Sequence, residues 1–378
     1  MSQDATLRQS AAYELASLAP DYVRRIAPYV PGKPIEELAR EYGIEQASIV
    51  KLASNENPRG PSPKVRQAIA DAAAEVTRYP DGAGFALKAA LAVRCGLRPE
   101  QIVLGNGSND VLELVTQAFL RPGDQTVYSQ HAFAVYPLAT QARGAVGIVI
   151  PARNYGHDLE AMRTAITPDT RVVFVANPNN PTGTWLEAAA VRAFLAAVPR
   201  EVVIVLDEAY DEYLDPAQRS KSASWIEEYP NLVVSRTFSK AYGLAGLRVG
   251  FGLMDDKVAD LLNRVRQPFN VNSVAQAAAL TALADVAYVA ESAALNRSGM
   301  NELMRALDDM GVAYVPSHGN FLLVHVGSAG AVYERLLRQG VIVRPVAGYG
   351  LPEHLRVTIG LPDENRRFLA ALKSALGR

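Results

Sequence analysis

The sequence predicts an α/β protein: a large domain built on a mainly parallel sheet covered by helices, and a smaller α+β domain. Three observations carry this expectation. From residue 101 the chain repeats strand, loop and helix, the alternation that lays a parallel sheet between helical layers. The stretches 172–176 and 202–206 are apolar throughout, as strands covered on both faces must be. Beyond about residue 270 the composition becomes alanine- and leucine-rich, and a few strands then alternate with helices. The division that follows is 1–50 as an N-terminal arm and part of the small domain, 51–270 as the large site-bearing domain, and 271–378 as the small C-terminal domain.

Composition narrows the function classes. A chain of 378 residues is long enough for about two domains and a large core. Thirty-eight basic residues against 39 acidic ones leave no global field for nucleic acid or an anionic membrane, so any anion must be held by locally placed cations. The single cysteine, Cys95, excludes an intrachain disulfide, and five scattered histidines lack metal-ligand spacing, so no metal is expected. The first 19 residues lack the basic region and apolar core of a signal peptide, and no apolar run approaches ~20 residues. The expectation is a cytoplasmic protein with small-molecule partners and neither nucleic acid nor membrane among them.

Taken in order, the chain opens with a polar helix and a proline-rich arm at 26–34, which cannot continue a helix and must lie on something else. Residues 52–61 and 79–84 are irregular loops marked by amides, prolines and glycines. A short strand at 101–104 leads through the tight loop 105–110 to a helix at 111–120, which Ser108 or Asn109 could cap; free N–H groups there would accept a phosphate. A dinucleotide fingerprint is disfavoured, because a third glycine is missing and the strand at 126–129 does not end in an acidic residue. Further strands fall at 146–150, 172–176 and 202–206, with a helix at 187–197. In the last third, helices are expected at 273–287, 291–310, 332–339 and 365–376, and strands at 321–326, 341–343 and 355–359. Arg344 and Arg356 stand at or near the ends of those strands.

Chemistry concentrates at strand ends. The 202–206 strand closes in Asp207, with Tyr210 three residues on; the 172–176 strand runs into Asn177-Pro178-Asn179-Asn180-Pro181-Thr182-Gly183. An ATPase magnesium strand would need a Gly-Lys-Ser/Thr loop, which the chain lacks, whereas an acidic helix cap at Asp207 stays open. After the apolar run 232–234 comes Thr237-Phe238-Ser239-Lys240, with Arg248 eight residues past the lysine. Desolvation among small residues would lower the pKa of Lys240 and expose a neutral amine, while two hydroxyls and a cation suit a phosphate. By itself this stretch reads first as a surface loop with an ordinary solvated lysine, since most lysines are exposed.

Together these pieces resemble the pyridoxal-phosphate aminotransferases of the aspartate aminotransferase fold (fold type I) and, within them, the histidinol-phosphate aminotransferase family. The likeness runs from about Pro28 to the C-terminus. The Asn179–Gly183 and Thr237–Lys240 motifs mark the fold type, while Asn55-Glu56-Asn57-Pro58, Arg78-Tyr79-Pro80 and Leu244-Ala245-Gly246-Leu247-Arg248 narrow it to the family. The resemblance implies that Lys240 bonds the cofactor aldehyde and moves the substrate proton. Asp207 would pair with the ring nitrogen, and Asn180 and Tyr210 would hold the ring oxygen. Phe133 would stack on the ring, where many relatives have tyrosine. Ser108, Asn109, Thr237, Ser239 and Arg248 would cradle the phosphate. Tyr79 would reach the cofactor of a neighbouring subunit, implying a homodimer with shared sites. Tyr29, Asn57, Arg344 and Arg356 would face substrate, with Arg356 receiving its carboxylate.

The activity implied is transamination between histidinol phosphate and glutamate or 2-oxoglutarate in histidine biosynthesis, with ping-pong kinetics and possible aromatic side activity. An aromatic amino acid aminotransferase and a related phosphothreonine decarboxylase are the alternatives. A sensor domain that keeps the cofactor fold would carry a DNA-binding segment, and fewer than 30 residues precede the arm.

Overall fold

The computed structural model describes residues 15–377, so the polar helix expected at the start of the chain lies largely outside the described residues. The central sheet has seven strands: β2 (Ile102–Gly105), β3 (Gln125–Ser129), β4 (Val146–Ile150), β5 (Thr170–Ala176), β6 (Val203–Asp207), β7 (Leu232–Thr237) and β8 (Gly250–Leu253), in the order β2-β8-β7-β6-β5-β3-β4. From β7 to β4 every pairing is parallel; β8 alone runs against both of its neighbours. The mainly parallel sheet expected from the sequence is therefore present.

Side-chain alternation explains the uninterrupted apolar strands. In β5, Val173 and Val175 face one hydrophobic core and Val172, Phe174 and Ala176 the other; in β6, Ile204 and Leu206 oppose Val203 and Val205 in the same way. With helices on both faces, neither set of positions can be polar. The parallel register puts Ala176, Asp207 and Ser235 side by side, so β5, β6 and β7 release their polar continuations at one edge.

The smaller unit has a separate core containing Val50, Leu52, Leu322, Val324, Val341, Leu355, Val357, Phe368 and Leu372. Its antiparallel sheet is built from β9 (Tyr314–Val315), β10 (Phe321–His325), β12 (Arg344–Pro345) and β13 (His354–Thr358), in the order β12-β13-β10-β9. Beside it β1 (Val50–Lys51) pairs in parallel with β11 (Val341–Ile342), which ties the segment after the arm to the C-terminal unit.

The composition change at residue 270 does not coincide with a change of core. The Ser273–Ala284 helix buries Ala275, Ala278, Ala279, Ala282 and Leu283 in the large core, with Val65, Leu87 and Leu91. Its alanine richness reflects close helix packing against Pro63–Ala73. The crossing falls inside the Val286–Asp309 helix: Val289 and Ala293 belong to the large core, whereas Met300, Leu303 and Leu307 belong to the small one. Among the described residues no single helix is long and apolar enough to cross a membrane.

Candidate active site

The polar edge of the large sheet opens into a cavity of about 240 Å³ that also meets the arm and β13. Lys240 lines it just beyond β7, its Nζ donating to the Ser54 carbonyl at 3.1 Å. Burial, reinforced by the Arg356 and Arg248 cations and opposed by Glu56 and Asp207, pushes its pKa down to about 8. The desolvated lysine expected from its small neighbours is thus formed, and the surface-loop alternative falls away.

Asp207, at the end of β6, is buried. Its Oδ2 accepts from the Tyr136 hydroxyl at 2.9 Å, while buried Oδ1 has no hydrogen-bond partner among the described residues. Burial raises its pKa to about 6, against the pull of Tyr136, the Ala209 N–H and Lys240. The acid is not a helix cap; it presents one unpaired oxygen beside the cavity. Tyr210, in the turn after β6, accepts from Asn55 Nδ2 at 2.9 Å, and burial pushes its phenol up to about 12. With Asn55 supplying a donor to the phenol oxygen, the Tyr210 proton is left for another acceptor.

Opposite Lys240 stands Arg356 on β13. Its Nη1 donates to Asn180 Oδ1 at 2.6 Å and its Nη2 to the Ala53 carbonyl at 2.7 Å, and Nε is buried without a partner among the described residues. Burial lowers its pKa, and among the described residues no carboxylate forms an ion pair with it. A guanidinium held this way is a receptor for an external anion. Asn180 comes from the turn after β5, where the Asn177–Pro178 and Asn180–Pro181 peptides are cis and Asn179 fastens the loop by donating to the His131 carbonyl at 2.9 Å.

A second cation, Arg248, stands in a hydroxyl-rich part of the cavity wall. Thr237, Ser239, Arg248, Ser108 and Asn109 form it together, and Arg248 Nη1 donates to Ser239 Oγ at 3.1 Å. Ser108 and Asn109 do not cap their helix as expected. The Ser108–Phe119 helix begins earlier than the sequence suggests, capped by Gly107 at φ +85°. A side chain on Gly107 would run into the Arg248 guanidinium, and one on Gly250 into the Ser108 amide. Both glycines therefore let the backbone and Arg248 come together at a helix N-terminus, where a small anion would fit.

Phe133 lines the cavity, edge-on to Tyr136 with centroids 5.9 Å apart. On the arm side, Arg344 Nη2 donates to the Val30 carbonyl at 2.7 Å and its guanidinium lies over the Tyr29 ring; both residues line the cavity. Two expected site residues are not brought in. Asn57 spends its amide on the Ala241 carbonyl and Ser292 Oγ, and its Oδ1 on Arg59 N, so it shapes the turn and does not face substrate. Tyr79 is 83% exposed, stacked on Phe269, and lies outside the cavity of its own chain.

The sequence reading missed Tyr136, Asn55, Ser54, Glu56 and Tyr349, all in the cavity wall. Asn55 sits two residues from Asn57 in one motif, and only the backbone, with Asn55 at φ +55°, decides which amide turns inward. Tyr136 follows Phe133 by one helical turn, a spacing that reads first as packing.

Comparison with known proteins agrees with this architecture. The family model for aminotransferase class I and II matches residues 47–372, which fixes the class of enzyme. A histidinol-phosphate aminotransferase of Nitrosospira multiformis is 60% identical over 96% of this chain and 93% of its own length. One from Dechloromonas aromatica is 60% identical over 96% and 99%. The crystal structure of histidinol-phosphate aminotransferase from Sinorhizobium meliloti in complex with pyridoxal-5'-phosphate superposes with a TM-score of 0.88 at 31% identity, covering 96% of this chain and 98% of that one. The chain belongs to the histidinol-phosphate aminotransferase family, and its fold is the fold type I arrangement.

Proposed function

We propose that the protein is a pyridoxal-phosphate-dependent transaminase that moves an amino group between histidinol phosphate and 2-oxoglutarate in histidine biosynthesis. The observation that carries this reading is one cavity holding a lysine with lowered pKa and, among the described residues, a carboxylate oxygen without a partner and an arginine without a counterion. The residues fit the cofactor: Asp207 Oδ1 suits a protonated ring nitrogen, Asn180 and Tyr210 suit the ring oxygen, and the Gly107–Arg248 cradle suits the phosphate. Phe133 would cover the ring.

When bound, pyridoxal phosphate supplies an aldehyde that bonds amines and a ring that draws electrons from the substrate α-carbon. Lys240 Nζ, neutral above about pH 8, would hold the cofactor through that aldehyde and, once freed by a substrate amine, would serve as base and then acid for the α-carbon proton. Asp207 Oδ1 would hold the ring nitrogen in its protonated form. Arg356 binds the α-carboxylate of glutamate in one half-reaction and the phosphate of histidinol phosphate in the other, with Arg344 and Tyr29 closing the cavity on the arm side.

A homodimer is part of this proposal. Tyr79, Phe85 and Phe269 present apolar surface at 83, 78 and 45% exposure, and the resemblance assigns Tyr79 to a neighbour's cofactor. Small, charged, diffusible substrates suit a cytoplasmic enzyme.

The test is a donor panel with 2-oxoglutarate, together with borohydride reduction of the holoenzyme and peptide mapping. Histidinol phosphate should be the best donor, with tyrosine and phenylalanine weaker, and the reduced cofactor should map to Lys240. An inert histidinol phosphate with active tyrosine would replace the substrate assignment by the aromatic one. Release of carbon dioxide without use of 2-oxoglutarate would replace transamination by decarboxylation.

A further inference from the structure

The sequence reading gives Tyr136 no role, yet it makes the only side-chain hydrogen bond that Asp207 receives among the described residues. It is fully buried, in the first turn of the Val135–Ala142 helix, with its ring stacked on Phe174 of β5 at 4.6 Å and an interplanar angle of 6°. The helix is itself fastened to the sheet: Thr140 Oγ1 donates to the Tyr136 carbonyl at 2.8 Å and lies 2.9 Å from Thr126 Oγ1 on β3. Ring and backbone are both held, so the hydroxyl has one place to point.

Hydrogen-bond accounting then fixes the direction. Burial and the neighbouring carboxylate hold the phenol far above its ordinary pKa, so its oxygen keeps the proton and donates it. Asp207 must accept, and it does so with Oδ2, leaving its own Oδ1 buried and without a partner among the described residues. A carboxylate in an apolar setting without such a donor would be neutral or free to rotate, and neither form serves a cationic ring.

We propose that Tyr136 is a positioning residue for the cofactor's ring nitrogen: by pinning Oδ2 of Asp207 it holds the carboxylate as an anion with Oδ1 turned to the ring. This rests on the pyridoxal-phosphate reading of the cavity and adds to it a residue that acts on the ring's charge through Asp207. The groups facing the Asp207 carboxylate are Tyr136, Tyr210, Glu208, Lys240 and the Ala209 N–H, and of these only Tyr136 donates a side-chain hydrogen bond to it.

The experiment compares two ligands on the apoenzyme: pyridoxal phosphate, and its 1-deaza analogue, in which CH replaces the ring nitrogen. Dissociation constants come from the absorbance of bound ligand, for wild type, Tyr136→Phe and Tyr136→His. Phenylalanine keeps the stack on Phe174, and a thermal melt checks that the fold is retained. Wild type should prefer the natural cofactor, and Tyr136→Phe should lose about tenfold or more of that preference, the worth of a hydrogen bond to a charged group. Affinity for the analogue should stay unchanged, and Tyr136→His, which keeps a ring N–H, should regain part of the preference. Equal weakening of both ligands would make Tyr136 merely structural and overturn the proposal, as would an unchanged preference. If wild type binds both ligands alike, the pairing of Asp207 with the ring nitrogen falls, and the proposal with it. If wild type binds neither, the cofactor reading itself has failed.

Discussion

Replacing Arg356 with alanine removes a buried cation of the cavity wall that has no counterion among the described residues. In the wild type its two terminal nitrogens are spent on Asn180 Oδ1 and the Ala53 carbonyl, neutral acceptors that orient the fork without neutralising it. The charge is therefore reserved for substrate. Truncating one partner of a buried, hydrogen-bonded charge pair costs about 2 to 5 kcal/mol. At about 1.4 kcal/mol per factor of ten, kcat/KM should fall by roughly 30-fold to a few thousand-fold. Because one fork serves both anions, the fall should appear with glutamate, histidinol phosphate and tyrosine alike. A second consequence is independent of substrate. Arg356 is the largest of the charges that hold Lys240 down, so the pKa of that lysine should rise above its value of about 8 when the arginine is removed. The assays are steady-state kcat/KM for three donors and the pH dependence of Lys240 modification in the apoenzyme. If Arg356→Ala impaired histidinol phosphate and left glutamate untouched, the shared-fork argument would be wrong.

Three further outcomes follow from the same geometry. An amine-selective reagent should modify Lys240 in the apoenzyme along a curve centred near pH 8; because burial lowers the pKa, the reactive neutral form appears as pH rises through 8, and a midpoint above 10 would contradict the desolvated site. Asp207→Asn should bind cofactor, lose most turnover and stabilise the apoenzyme above pH 6. The folded pKa of about 6 lies above the ordinary 3.8, so wild-type stability falls as pH rises between them by about 3 kcal/mol, and an Asn variant no more stable than wild type at pH 8 would refute the burial penalty. Mixing inactive Lys240→Ala chains with inactive Tyr79→Ala chains should restore activity if Tyr79 serves a neighbour's site, and verified hybrid dimers that stay inactive would exclude sharing.

Much of this protein was legible in one dimension because its physics is local. Apolar runs such as 202–206 announce strands buried on both faces, since a two-residue period leaves no polar side. The polar residues that interrupt those runs, at Asp207, Asn177–Gly183 and Thr237–Lys240, stand at the edge where parallel strands end together, so the chemistry was readable at its strand ends. What required the tertiary structure was every choice between near neighbours. Asn55 and Asn57 are equivalent in sequence, and a left-handed backbone at Asn55 turns that amide to Tyr210 while Asn57 holds the turn. The alanine-rich segment after 270 looked like a new domain, whereas its small side chains serve close packing on the old one, and the long Val286–Asp309 helix carries the chain from one core to the other. Tyr136 reached Asp207 across 71 residues of sequence, a pairing that no spacing encodes and that only the stacking of a helix on β5 brings about. Residue types and strand ends are set by nearest-neighbour chemistry; which oxygen is left free, and which amide points inward, is set by packing between distant segments.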